Sequence, residues 1–249
     1  MQKTFLLFTL FFIAAVSARS QSSFSANRPG QVINPDITPK GSFMVETGFQ
    51  YGKSLGSKNF LLPAGSIRYG LNGNIEIAIN ASNIYQTDKS LMGLTSYNIG
   101  TKIAVCDQNK LLPKITFVAA YIPPFIGIKS LRPENSGGMI ELAVSHTLGS
   151  SCTAYANLGA TWNGNDPFPV YNYVLSVYYS PFKKFCTFAE LYGLTPEHGE
   201  NSMASDFGVS YMVAANIQID LTIGADYSDP SDNHFIQIGA AFQIVKRKK

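Results

Sequence analysis

Phe43-Met44-Val45-Glu46-Thr47-Gly48-Phe49-Gln50-Tyr51 decides the fold. Phe43, Val45, Thr47, Phe49 and Tyr51 fall on one face of an extended chain, and Met44, Glu46, Gly48 and Gln50 on the other. A period of two is the period of a β-strand. The aromatic face suits lipid, and the Glu-Gly-Gln face suits a crowded aqueous interior.

The same alternation recurs along the chain. Ile67, Tyr69 and Leu71 oppose Ser66, Arg68 and Gly70. Ile75, Ile77 and Ile79 oppose Glu76, Ala78 and Asn80. Tyr97, Ile99, Ile103 and Val105 oppose Ser96, Asn98, Gly100 and Lys102. A fifth strand carries Ile115, Phe117, Ala119 and Tyr121, and a sixth sets Ile140, Leu142 and Val144 against Glu141 and Ser145. The seventh and eighth place Leu158 and Trp162, then Tyr171, Leu175 and Val177, opposite Tyr155, Asn157, Asn172 and Tyr178. The pattern is weakest near Phe185 to Tyr192. It returns in Phe207-Gly208-Val209, in Ile217 to Tyr227, and in Ile236 to Ile244. These segments predict about 12 antiparallel strands in an all-β, up-and-down transmembrane β-barrel.

Connections point the same way. Long loops are expected at Gly52 to Leu62, Ser82 to Gly93 and Pro123 to Gly137, with short turns between them. Asn72-Gly73 reads as a type I′ hairpin turn. Strict long–short alternation predicts long loops outside the cell and short turns, with both termini, in the periplasm.

The first 20 residues predict a signal peptide. Lys3 precedes an apolar run from Phe5 to Val16, and small residues follow, allowing cleavage after Ala18 or Ser20. Beyond residue 20 no apolar run is long enough for a membrane helix. Residues 21–40 are expected to be a periplasmic leader or a small plug, and residues 41–249 the barrel. Only 14% of the residues are charged, and the polar face is rich in Gly, Ser, Asn and Thr. A soluble lipocalin-like barrel or sandwich would turn its apolar face inward and carry Lys and Glu outside. The location expected is therefore the Gram-negative outer membrane, with its lipid as partner. A net charge of +3 comes largely from Lys246-Arg247-Lys248-Lys249, read as a solvated tail, and no nucleic-acid partner is expected. Cys106, Cys152 and Cys186 form no CxxC pair and no metal pattern, and their strand placement predicts three free thiols.

Two resemblances to known sequences stand out. Gln237-Ile238-Gly239-Ala240-Ala241-Phe242-Gln243-Ile244 resembles the C-terminal signal read by the barrel-insertion machinery, which that resemblance makes a partner. Asn27-Arg28-Pro29-Gly30, then Pro39 to Phe49, and Ser66 to Leu71 with Asn74-Ile75-Glu76, resemble the outer-membrane transporters of the meta-pathway of phenol degradation family. That resemblance implies passive passage of small hydrophobic or aromatic solutes. The competing reading is a non-transporting barrel that serves structure or adhesion through its outer loops.

Candidate site residues follow from the inward face. Glu46, Arg68, Glu76 and Lys102 face the lumen on four consecutive strands. Glu141, Glu190, Asp206, Asp220 and Asp226 extend the set. Seven acids then oppose two bases, an excess of five negative charges. Confined like charges focus a strong field. Proton uptake, counter-ions or an inserted Arg28 would relieve it, since a guanidinium can bridge two carboxylates. Arg28 is the plug candidate, expected near the Glu46–Arg68–Glu76 end, and the lumen is expected to prefer cations. No enzyme is expected: His146, His198 and His234 have no serine at triad-like spacing, and GxSxG is absent. No cofactor or metal is called for.

Overall fold

The structure is a computed structural model and describes residue 24 and residues 26–54, 57–88 and 91–245. The signal-peptide expectation and the basic tail lie outside those residues.

Twelve strands form a closed antiparallel barrel. They are β1 (Phe43–Ser54), β2 (Ser57–Gly70), β3 (Ile75–Gln86), β4 (Leu91–Cys106), β5 (Lys114–Ile122), β6 (Gly137–Thr147), β7 (Cys152–Trp162), β8 (Val170–Phe182), β9 (Phe185–Pro196), β10 (Ser202–Ala214), β11 (Ile217–Asp226) and β12 (His234–Ile244). Each strand pairs with its sequence neighbours, and β1 closes on β12 from Phe43↔Ile244 to Lys53↔His234. Closure leaves no edge strand, as a bilayer requires. β9, the weakest pattern in the sequence, is fully paired with β8 and β10.

The faces divide as the alternation demands. Large apolar side chains stand exposed around the outside, among them Ile67, Ile79, Ile99, Leu158, Leu175 and Ile219. Aromatics flank this aliphatic belt. Phe43, Tyr179 and Tyr211 lie toward the rim where β1 begins, and Tyr51, Tyr121 and Tyr171 toward the other. Two aromatic girdles around an apolar band are the signature of a bilayer-spanning barrel. Polar residues are buried instead: Glu46, Arg68, Glu76, Lys102, Glu141, Glu190, Asp206 and Asp220 all point inward.

Three local expectations are corrected. Gly52 to Leu62 and Ser82 to Gly93 are mostly strand, because the β1–β2 and β3–β4 hairpins keep pairing out to Ser54↔Ser57 and Gln86↔Leu91. Pro63 is absorbed at a register shift between Leu61 and Ala64, where its missing N–H breaks no ladder bond. The long–short alternation is accordingly not strict: four residues separate β3 from β4, but seven separate β4 from β5. Asn72-Gly73 is not a type I′ turn, since Gly73 is not among the glycines with positive φ. The Asn72 carboxamide instead accepts hydrogen bonds from the N–H groups of Asn74 and Ile75, both 2.8 Å, closing a four-residue connection as an Asx turn. Cys106, Cys152 and Cys186 are free thiols.

Candidate functional site

The site is built from residues 26–40 and the inner face of the wall. Gly41, at φ 72°, turns the chain from this leader into β1. Lys40 bridges to Gly70 at the end of β2, and a side chain at Gly70 would collide with the Thr38 and Pro39 carbonyls. Glycine is thus required where the leader backbone meets the wall.

From there the leader runs once around the inside of the barrel, backwards through the sequence. Thr38 N–H donates to Glu76 on β3, 2.6 Å. Asp36 pairs with Lys114 at the start of β5, 2.7 Å. Ile33 N–H donates to Asn157 Oδ1 on β7, 2.7 Å, and the Asn157 amide returns a bond to the Ile33 carbonyl, 3.1 Å. Gln31 N–H donates to Glu190 on β9, 2.5 Å. The Arg28 guanidinium meets Asp220 on β11, and Asn27 N–H donates to Glu46 on β1, 2.5 Å. The odd-numbered strands are therefore visited in order, one every one to three residues. An extended chain covers about 3.3 Å per residue, and alternate strands stand about 9–10 Å apart at the wall. On the smaller inner circle that stride matches the strand spacing.

Hydroxyls and amides hold the leader's carbonyls. Thr116 donates to Pro35 O, 2.6 Å, Tyr178 to Pro29 O, 2.7 Å, and Gln218 to Arg28 O, 2.9 Å. Lys102 ties one end of the circuit to its middle, donating to Asn27 Oδ1 at 2.8 Å and to Asn34 O at 2.6 Å. Three prolines, Pro29, Pro35 and Pro39, suit this path, because they remove donors that would otherwise need partners inside the barrel. Ala26 and Phe24 pack on Met44 and Ala241 from β1 and β12.

The wall acids fall into two sets. Arg68 lies between Glu46 and Glu76, at 3.4 and 3.1 Å, and Lys102 approaches Glu76 at 3.7 Å. This joins four residues that the inward-face reading placed together. Glu141 is held by the Asn172 amide, 2.8 Å. Glu190 and Asp206 are cross-strand partners, both buried, and among the described residues no donor stands in good hydrogen-bond geometry to either Asp206 oxygen. Asp226 ends β11 at the rim, bonded to Ser228. The Arg28 backbone N–H reaches Glu46, 3.3 Å, and its guanidinium crosses to Asp220, 2.7 Å. The bidentate carboxylate there outcompetes Glu46, which Arg68 already holds. An aromatic ladder of Tyr155, Tyr178 and Phe188 spans β7 to β9, with ring centroids 5.0 Å apart at each step.

Sequence reasoning missed Asp36 as a leader contact residue and Lys114, Thr116, Asn157, Gln218 and Gln237 as its neighbours on the wall. Their inward positions were legible for all the strand residues except Lys114, which starts its strand. Nothing in one sequence tells which inward residue meets which leader residue.

No curated protein matches the sequence. Among solved structures, the chain is similar to an outer membrane channel from Pseudomonas putida F1, with TM-score 0.63 and 13% identity, covering 87% of this chain and 99% of that one. It is also similar to the KdgM porin, with TM-score 0.57, 8% identity and coverage of 80% and 98%. The NanC porin gives TM-score 0.57, 9% identity and coverage of 80% and 98%. At these identities the likeness is one of fold, a barrel of the outer membrane. A family model for the MetA-pathway of phenol degradation matches residues 26–244, nearly the whole leader and barrel. The chain belongs to that family.

Proposed function

We propose that this chain is a passive outer-membrane pore for small solutes, constricted by its own leader. The observation that carries the reading is the circuit of residues 26–40, bonded to β3, β5, β7, β9, β11 and β1 in turn. A closed barrel with a polar inner face is a path for solutes, and a segment held by individually modest bonds is a removable constriction. Residues 1–20 serve export, and the last strand serves docking to the barrel-insertion machinery. The acids of the β6–β11 wall favour cations over anions, while the Tyr155–Tyr178–Phe188 ladder offers faces on which an aromatic solute stacks.

Conductance in planar bilayers tests this. Deleting residues 21–36 is expected to raise single-channel conductance and to keep a cation-selective reversal potential in a salt gradient. Unchanged conductance would remove the leader from the mechanism. Selectivity for anions would overturn the inward assignment of the acids. A deletion variant that folds yet carries no current would favour the non-transporting barrel.

A further inference from the structure

Most of the ring is a grip on peptide groups. At Arg28 the wall also holds a side chain, in a site cut to its shape. Asp220, whose side chain is fully buried, accepts from Nε at 3.2 Å and from Nη2 at 2.7 Å. Gln237, with its amide turned so that Oε1 faces the guanidinium, accepts from Nη1 at 2.7 Å and from Nη2 at 3.0 Å. Gly48 and Gly239 face each other across the β1–β12 pair and leave room for the flat group. A Cβ on Gly48 would stand 2.6 Å from Nη1, and one on Gly239 would overlap the guanidinium itself.

Two acceptor groups on adjacent edges and two missing side chains against the plane describe a receptor for a planar fork of N–H donors. An ammonium has the charge without the plane or the fork. Nothing in the receptor requires the guanidinium to be tethered. The remaining wall contacts of the leader, on Glu76, Asn157 and Glu190, lie on other strands and do not depend on it.

We propose that Asp220, Gln237, Gly48 and Gly239 form a guanidinium-binding site of the pore, filled by Arg28 while the leader is docked and by a guanidinium-bearing solute once it has left. The inference deepens the pore reading and rests on the leader being displaceable. A solute that carries this group is retained in the lumen, and an alkylammonium of equal charge passes with weaker hold.

The test uses methylguanidinium and methylammonium with the full-length Arg28→Ala protein, in which the socket is empty and the other leader contacts remain. Calorimetry in detergent reads binding without reference to conductance. Methylguanidinium is expected to bind at least tenfold more tightly than methylammonium. Adding Asp220→Asn is expected to erase the difference, and the wild type, its socket filled, is expected to bind neither measurably. The chain lacking residues 21–36 empties the same socket and serves as a second background. Equal affinity for the two cations in both backgrounds, or a preference that survives Asp220→Asn, overturns the proposal. A leader deletion without effect on conductance would defeat the pore reading instead, and leaves this binding result readable on its own.

Discussion

Glu76 on β3 and Asp206 on β10 are both acids buried on the inner wall, and their surroundings are opposite. Glu76 sits between Arg68 at 3.1 Å and Lys102 at 3.7 Å and also receives the Thr38 N–H. Asp206 sits beside Glu190, with no well-aligned donor among the described residues on either oxygen. The contrast extends to the halves of the barrel. From β1 to β5 the wall supplies its own bases, Arg68, Lys102 and Lys114. From β6 to β11 the carboxylates Glu141, Glu190 and Asp220 take an amide, a peptide N–H and the leader's Arg28. The first half is internally compensated. The second half is completed by the leader. A constriction that leaves would uncover the carboxylates of the β6–β11 side, while on the other side it would release Lys114 from Asp36; a cation's path should therefore run along β6 to β11.

The largest expected effect is on the compensated half. Arg68→Ala removes the base between Glu46 and Glu76 while both stay buried. Breaking a buried pair this way costs about 3–5 kcal/mol. On the other half, Glu141→Gln keeps the bond to Asn172 and is expected to cost less than about 1 kcal/mol. Urea unfolding of both variants in lipid vesicles gives the comparison. If Arg68→Ala costs no more than Glu141→Gln, the two halves are not different in kind.

A second variant acts on the seam between leader and wall. Gly48→Ala places a methyl where the Arg28 guanidinium lies, next to backbone that cannot move. Overpacking of this kind costs about 1–3 kcal/mol. The loss should fall on the leader and spare the sheet. Amide hydrogen exchange is expected to quicken at Asn27 and Gln31 while the β1 ladder keeps its protection. Faster exchange throughout β1 would mean that the leader and the wall unfold together.

The wall was legible in the sequence because its signal is local. Alternation in Phe43 to Tyr51 and its repeats fixes which residues point inward, and every acid named from that face except Asp226, at a strand end, is buried. The hairpin lengths were less legible. Lys53↔Lys58 and Gln86↔Leu91 pair through segments too polar on both faces to read as strand, since pairing beyond the lipid does not need an apolar side. The leader was least legible. Its contacts join residues far apart in the chain, Arg28 and Asp220 by 192 positions, and its conformation has no period of its own because side chains rather than a ladder hold its peptide groups. Charge counting left proton uptake, counter-ions and an inserted Arg28 as ways to relieve the acidic lumen. It did not show that Asp220, rather than Glu46, would receive the guanidinium.

The smallest effect is the most discriminating, because one chemical change is expected to carry opposite signs on adjacent strands. Asp220→Asn on β11 removes the charge that faces Arg28 and leaves the guanidinium without its charged partner, a loss of about 1.5–3 kcal/mol in leader docking. Asp206→Asn on β10 replaces one of two carboxyls that crowd each other directly across the strand pair. It also introduces an amide N–H₂ beside a carboxylate, so a repulsion becomes a donor–acceptor contact. The gain expected is about 0.2–1 kcal/mol, the range of a single cross-strand pair. Unfolding of both variants in the same vesicles, with exchange at Gln31 as a local probe, reads the two signs together. Gln31 should exchange more slowly in Asp206→Asn, because Glu190 then has no neighbouring charge to turn from and keeps its bond to that N–H. Destabilisation by Asp206→Asn would show that Asp206 has a partner of its own, and the acidic half would then be compensated by a cation drawn from solution.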